Sequence, residues 1–328
     1  MDVAGWVWAA TLGGMAAVLV ADLAIIGRRP HEPSMRESAV WVSLYVGMAL
    51  LFGLGILVMS GAEFAGQFYA GWLTEYSLSV DNLFVFVIIM TRFAVPRPYQ
   101  QKVLLIGIVI ALLLRGVFIA AGAAALREFA WIFYLFGAFL LYTAWKLVRH
   151  GEDDPSDFKE NMLIRGSRRV LPMAPEYSGS RLTTMRNGRR VFTPLLIVMI
   201  AIGGTDLIFA LDSIPAIFGL TTEPYLIFTA NVFALMGLRQ LYFLLGGLLD
   251  RLTYLSVGLS VVLGLIGVKL ILEALHDNNL PFINDGHPIE AIPPVPIWLS
   301  LTAIVATMAV TTAWSVLRSR RQVRSAAG

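Results

Sequence analysis

Nine stretches of this chain stay apolar for twenty residues or more, roughly 3–26, 38–60, 64–91, 102–124, 129–148, 193–219, 224–247, 253–275 and 295–317. A hydrocarbon layer about 30 Å thick is crossed by about 20 helical residues at 1.5 Å each. Inside that layer every backbone N–H and C=O must be bonded within the protein, so only helices and closed barrels cross it. A barrel shows short alternating segments, which these runs are not. The fold class read from the sequence is therefore all-α: a polytopic membrane helical bundle of about nine transmembrane helices. The balance of residues agrees, with 57% hydrophobic and 14% charged, where a soluble domain has about a quarter charged. No basic residue precedes the first run and no small-residue cleavage site follows it, so it reads as a retained helix.

Basic residues set the orientation. Arg28, Arg29, Arg36, Arg92, Arg97, Lys102, nine more between Arg149 and Arg190, Arg251, Arg318, Arg320, Arg321 and Arg324 fall in one set of loops, 20 in all, against Arg127 alone in the other. Cytoplasmic loops carry the excess. The expected topology has the N-terminus outside and the C-terminus in the cytoplasm, in a bacterial inner membrane. Residues 149–192, charged and rich in Pro, Gly and Ser, read as a solvated cytoplasmic connector. The outer loop 276–294 has no Lys or Arg but holds Asp277, Asp285 and Glu290.

The chain also repeats itself. Glu75-Tyr-Ser-Leu-Ser-Val-Asp81-Asn82 in the third run matches Asp206-Leu-Ile-Phe-Ala-Leu-Asp212-Ser213 in the sixth. Each following run carries one arginine seven residues before a glycine, Arg115 to Gly122 and Arg239 to Gly246. The third run of each unit holds a lysine, Trp145-Lys146-Leu147-Val148 against Val268-Lys269-Leu270-Ile271. Three crossings are an odd number, so the second unit runs the opposite way through the membrane: an inverted three-helix repeat, with a site expected at the interface near the midplane. The chain divides into two N-terminal helices (1–63), a first repeat (64–148), the basic loop (149–192), a second repeat (193–275), and an outer loop, last helix and basic tail (276–328).

An ionised side chain in mid-helix costs about 2.5–3.5 kcal/mol on the insertion scale. Glu75, Asp81, Asp206, Asp212, Arg115 and Arg239 must then face inward, pair, or bind something. Four acids against two arginines leave two formal negative charges, which one divalent cation or two protons offset. Carboxylates, the Asn82 amide and the Ser213 hydroxyl offer oxygen only, which suits Mn²⁺, Mg²⁺ and Ca²⁺ better than Cu or Zn. The candidate metal ligands are Glu75, Asp81, Asn82, Asp206, Asp212 and Ser213, with Glu63, Arg115, Asn231 and Arg239 as accessory residues. Pro215 and Gly203-Gly204 are expected to unwind the sixth helix and free carbonyls. Asp22 reads as interfacial, and Lys269 and Glu273 as a local i,i+4 pair. A purely structural salt-bridge network explains the arginines but leaves the duplicated acids and their polar neighbours unaccounted for.

Several classes are excluded or disfavoured. There is no cysteine, which removes disulfides and thiolate sites. His31, His150, His276 and His287 lie outside the apolar runs, against a buried imidazole site. No phosphate-binding Gly-rich loop, HExxH or nucleophile elbow occurs, so the chain reads as no enzyme, with no permanently bound cofactor and no nucleic-acid partner. Its expected partners are a divalent cation and the bilayer, with protons as counter-ion. The sequence sets no oligomeric state.

At the paired motifs, and at Asn231-Val-Phe-Ala-Leu-Met-Gly-Leu-Arg239-Gln-Leu-Tyr-Phe243, the chain closely resembles the TerC/Alx family of integral membrane proteins, over roughly residues 38–275. The resemblance implies a lysine-exporter-like transporter fold and a link to Mn²⁺ export, metal homeostasis and tellurite resistance. One departure stands out: many relatives carry an acid three residues before the position of Asp206, where this chain has Gly203. The alternatives to Mn²⁺ export are a tellurite or oxyanion stress protein, a non-transporting scaffold and an amino-acid exporter. Repeat symmetry sets Glu75 and Asp206 near mid-membrane, Asp81 further toward the cytoplasm and Asp212 further toward the outside.

The natural absence of cysteine makes topology directly measurable. A single cysteine placed in 149–192 is expected to react with a membrane-impermeant maleimide only after the cytoplasmic face is opened. Labelling in intact cells would reverse the topology.

Overall fold

The computed structural model describes residues 3–28, 33–129, 131–150, 171–245 and 255–326, except 173, 180, 187, 188, 277, 279, 281, 282, 290 and 294. Asp277 and Glu290 thus lie outside the described residues. Helices α1 (Gly5–Arg28), α2 (Met35–Ser60), α3 (Ala62–Arg92), α4 (Arg97–Glu128) and α5 (Ile132–His150) precede a hairpin of β1 (Thr183–Arg186) and β2 (Arg189–Phe192). Then follow α6 (Pro194–Phe218), α7 (Pro224–Met236), α8 (Leu238–Leu245), α9 (Leu255–His276) and α10 (Ile297–Ala326). Among the described residues, nine spans are long and apolar enough to cross a membrane, α7 and α8 together forming one of them.

Local signals mark the starts. Ser34 caps α2 by accepting from the Glu37 N–H at 3.1 Å, the Ser-x-x-Glu arrangement that satisfies an orphan helix donor. Pro194 and Pro224 open α6 and α7, where a missing N–H costs nothing. Large apolar side chains such as Leu51, Val58, Met59, Leu113 and Val117 lie exposed on the outside of the bundle, a surface suited to lipid. The α7–α8 span is the centre, with 89% of it buried, whereas the α1 and α10 spans are 11% and 6% buried and form the rim.

The two units pack as an inverted pair. Thr221 donates to Gln67 Oε1 at 2.6 Å, and Ile217 sits against Gly71; as one helix descends the other ascends, so α3 and α6 are antiparallel. The pair α5 and α9 is antiparallel too, with Gly137 against Gly267 and Ala144 against Gly264. Helix α3 packs on α7, while its repeat counterpart α6 packs on α4. Each first helix thus lies on the second helix of the other unit, which is the exchange that a two-fold relation requires.

One expectation is corrected and two gain detail. Helix α6 runs unbroken through Gly203-Gly204 and Pro215. Its glycine serves packing rather than unwinding: a Cβ at Gly203 would stand 3.2 Å from Ile110 Cγ2, and at Gly107 opposite, 2.6 Å from Ile202 Cγ2. The run 224–247, read as one helix, is interrupted at Gly237 between α7 and α8, a residue that weakens a helix by about 1 kcal/mol. The connector 149–192 contains the β1–β2 hairpin, registered Thr183↔Phe192 to Arg186↔Arg189. The Asn187-Gly188 pair between the two strand segments was the available signal.

The glycine contact between α5 and α9 carries a prediction. A Cβ at Gly137 would lie 2.9 Å from the Gly267 carbonyl oxygen and 2.6 Å from Ile271 Cγ1. Gly137→Ala should destabilise by about 1–3 kcal/mol through overpacking, seen as a lower melting temperature in detergent. Gly47→Ala and Gly55→Ala in the interior of α2, where nothing stands within 4 Å of the new Cβ, should instead raise the melting temperature, by the equivalent of about 0.5–1 kcal/mol each.

Candidate functional site

The centre of the bundle holds one guanidinium between two carboxylates. Arg115 of α4, 1% exposed, donates from Nε to Asp206 Oδ2 at 3.2 Å and from Nη2 to Asp206 Oδ1 at 3.3 Å. Its Nη1 donates to Asn231 Oδ1 at 3.0 Å and pairs with Glu75. Asn231 is itself fixed, its Nδ2 donating to the Ile227 carbonyl at 3.0 Å. Glu75, Asp206 and Asn231 are each 1% exposed. Four elements therefore meet here, α3, α4, α6 and α7, and every charged group present is buried. The fork of Arg matches a carboxylate bidentately, and only such pairing makes buried ions tolerable.

Three buried hydroxyls on the helices that carry Glu75 and Asp206 lack partners among the described residues. Ser79 Oγ and Thr74 Oγ1 on α3 and Ser213 Oγ on α6 are buried and make no hydrogen bond. The Gly71–Ile217 contact, continued one turn inward along the antiparallel pair, sets Ser213 level with Glu75. Asn82 is also buried. Each bare hydroxyl oxygen in a low-dielectric interior costs about 1–3 kcal/mol. Ser79 and Thr74 were not among the candidate ligands; the helical spacing Glu75, Ser79, Asn82 was the signal for the first.

Other expected residues are placed differently. Asp81 and Asp212 lie within the helical backbone of α3 and α6, and their side chains are outside the described residues. Among the described residues, no three acidic, His or Cys side chains gather as a metal centre. Glu63 is away from the cluster, lining a cavity of about 640 Å³ with Gln67, Thr221, Lys269, Glu273 and His276. The Thr221–Gln67 bond and the Ile217–Gly71 packing stand between that cavity and Glu75. Lys269 pairs locally with Glu273 at 3.1 Å, as expected, and also donates to the Gly219 carbonyl at 2.7 Å.

The second arginine breaks the symmetry. Arg239 of α8 donates from Nη2 to Asp22 Oδ1 at 2.6 Å and from Nη1 to Gln101 Oε1 at 3.2 Å. Asp22 is 7% exposed. Read as interfacial from its place near a helix end, it is buried in the bundle against Arg239. The buried arginine it meets comes from 217 positions away in the chain, so sequence neighbours gave no sign of it. Arg115 serves the central acids, and Arg239 is held by α1, a helix outside the repeat.

Removing one partner of a buried ion pair costs about 3–5 kcal/mol, because the other charge stays behind. Arg115→Gln should therefore destabilise strongly in a detergent melt. Glu75→Gln combined with Arg115→Gln should lie closer to the wild type than Arg115→Gln alone. Additive losses would mean that the two side chains do not share one site.

With this geometry in place, comparison with known proteins is informative. The chain is 48% identical over 329 aligned positions to an uncharacterized membrane protein of Mycobacterium tuberculosis, covering 99% of this chain and 83% of that one. It is 43% identical to the thylakoid membrane protein TERC of Arabidopsis thaliana, over 74% of this chain and 63% of that one. It is 40% identical to the putative membrane-bound redox modulator Alx of Salmonella typhi, over 79% and 84%. No solved structure matches. A family model described as the integral membrane protein TerC family matches residues 60–323, a span that holds both repeat motifs and the Glu75–Arg115–Asp206 cluster, and the chain belongs to that family.

Proposed function

We propose that this chain exports a divalent metal cation, Mn²⁺ foremost, across the bacterial inner membrane in exchange for protons, with its N-terminus outside and its C-terminus in the cytoplasm. The observation that carries this reading is the buried carboxylate pair Glu75 and Asp206 sharing Arg115, with bare hydroxyls at Thr74, Ser79 and Ser213 on the same two helices, α3 and α6. All the available donors are hard oxygens, the set that Mn²⁺, Mg²⁺ and Ca²⁺ take.

The charge balance sharpens it. Arg239 is bound to Asp22, so the four repeat acids Glu75, Asp81, Asp206 and Asp212 have Arg115 as their one arginine of the repeat pair. The formal deficit is three negative charges, not two. One divalent cation and one proton close it, as do three protons. Exchanging these two loads amounts to two protons per divalent cation. Arg115 then acts as an internal cation that stands between the acids when no metal does, and a metal ion entering there must displace it. The oxyanion reading is disfavoured on the same ground, since both interior arginines of the repeat are already bound to carboxylates. A thiol–disulfide role has no residue to work with, because the chain has no cysteine.

Purified protein in liposomes loaded with Mn²⁺ and a pH-sensitive dye tests this. Mn²⁺ should move against proton counter-flow, and its binding should weaken as pH falls, since protons compete for carboxylate ligands. Asp81→Ala and Asp212→Ala should each abolish movement while the protein still inserts. Transport that ignores a collapsed proton gradient would remove the exchange step and leave metal export standing. Mn²⁺ flux no faster than in empty liposomes would remove both.

A further inference from the structure

The described part of the long loop is a built element rather than a loose tether. Phe192 N–H donates to the Pro172 carbonyl at 2.8 Å and Ala174 N–H to the Phe192 carbonyl at 2.7 Å. Thr193 ties back through its N–H to the Leu182 carbonyl at 2.9 Å and its hydroxyl to the Arg181 carbonyl at 2.7 Å. Tyr177 donates to the Phe93 carbonyl at 2.6 Å, which fastens the segment to the end of α3. The β1–β2 hairpin is thus held against the ends of two membrane helices, and Pro194, the first residue of the α6 span, follows Phe192 by two positions.

The charges on this hairpin are arranged against its own stability. Arg186 and Arg189 are directly opposite each other in the ladder, and Met185 is opposite Arg190. Opposed residues project on one face, where like charges repel. All three arginines are exposed, and neither strand carries an acid. Among the described residues, no ion pair engages them. Met185 beside them is 68% exposed, a large apolar side chain on a segment that is not itself a membrane span. Arg190 is four residues from Pro194, so it stands at most about 13 Å of extended chain from the start of the span. Any lean of the hairpin along the membrane brings it into the headgroup layer, which is about 5–7 Å deep on each side.

The geometry points to this hairpin as a docking surface for anionic phospholipid headgroups of the membrane the chain spans. Two opposed guanidinium forks match a phosphodiester, which would offset the Arg186–Arg189 repulsion. On the other face of the ladder Met185, opposite Arg190, supplies an apolar contact at the acyl boundary, the usual companion of a basic interfacial segment, so the turn end of the hairpin enters the headgroup layer with both faces engaged. Near an anionic surface each arginine contributes about 1 kcal/mol. This inference does not rest on the transport reading.

The test uses Met185→Cys in the otherwise cysteine-free full chain, carrying an environment-sensitive fluorophore, in nanodiscs of phosphatidylcholine with increasing phosphatidylglycerol. Emission should shift to the blue as phosphatidylglycerol is added and return on raising salt. Arg186, Arg189 and Arg190 all replaced by Gln should move the midpoint to more than about tenfold higher phosphatidylglycerol, and all replaced by Lys should keep most of the response. Should the Gln variant fail to insert, the Lys variant and the salt titration of the parent still decide. Equal emission with and without phosphatidylglycerol overturns the proposal. So does an undiminished response in the Gln variant. A shift produced in pure phosphatidylcholine discs by a soluble oligonucleotide or inorganic phosphate, and not by phosphatidylglycerol, would assign the surface to another anion and overturn it as well.

Discussion

A buried guanidinium clamped between two carboxylates is the interaction on which the interior of this bundle depends. Arg115 touches Glu75 from one repeat and Asp206 from the other, so a single side chain joins the two units at their interface. In a low-dielectric interior such pairing is compulsory rather than optional, because an unpaired ion there is far more costly than a lost contact.

Symmetry explains much of the surrounding packing, and its failure is equally informative. The α3–α7 and α4–α6 pairings and the antiparallel α5–α9 contact all follow from an exchange of two similar units. The arginines do not follow it. One is central and the other is bound to Asp22 of α1. A helix outside the repeat therefore changes the charge of the repeat's own interior, and the balance of acids over bases is set by tertiary contact rather than by residue count. Glycines play the corresponding part for shape. Gly107, Gly137, Gly203 and Gly267 let helices approach until backbone or side chain fills the space a Cβ would take, the usual device where lipid offers no hydrophobic drive to association.

Nine helices long and apolar enough to cross a membrane, counted among the described residues, and the antiparallel pairing of two similar units were legible in the sequence, because bilayer thickness imposes a length and a composition on each span and because motifs such as Glu75–Asp81 and Asp206–Asp212 recur in order. Lys269 with Glu273 was legible too, since an i,i+4 pair is a local fact. The partner of Asp22, the close packing of α6 at its glycines and the fastening of the hairpin segment to the end of α3 were decided only by the tertiary structure. Each depends on which distant surface arrives opposite a residue: Arg239 beside Asp22, Ile110 against Gly203, the end of α3 beneath Tyr177. Hydropathy and spacing fix how a segment meets the membrane, whereas ion pairing and close packing are settled between segments far apart in the chain.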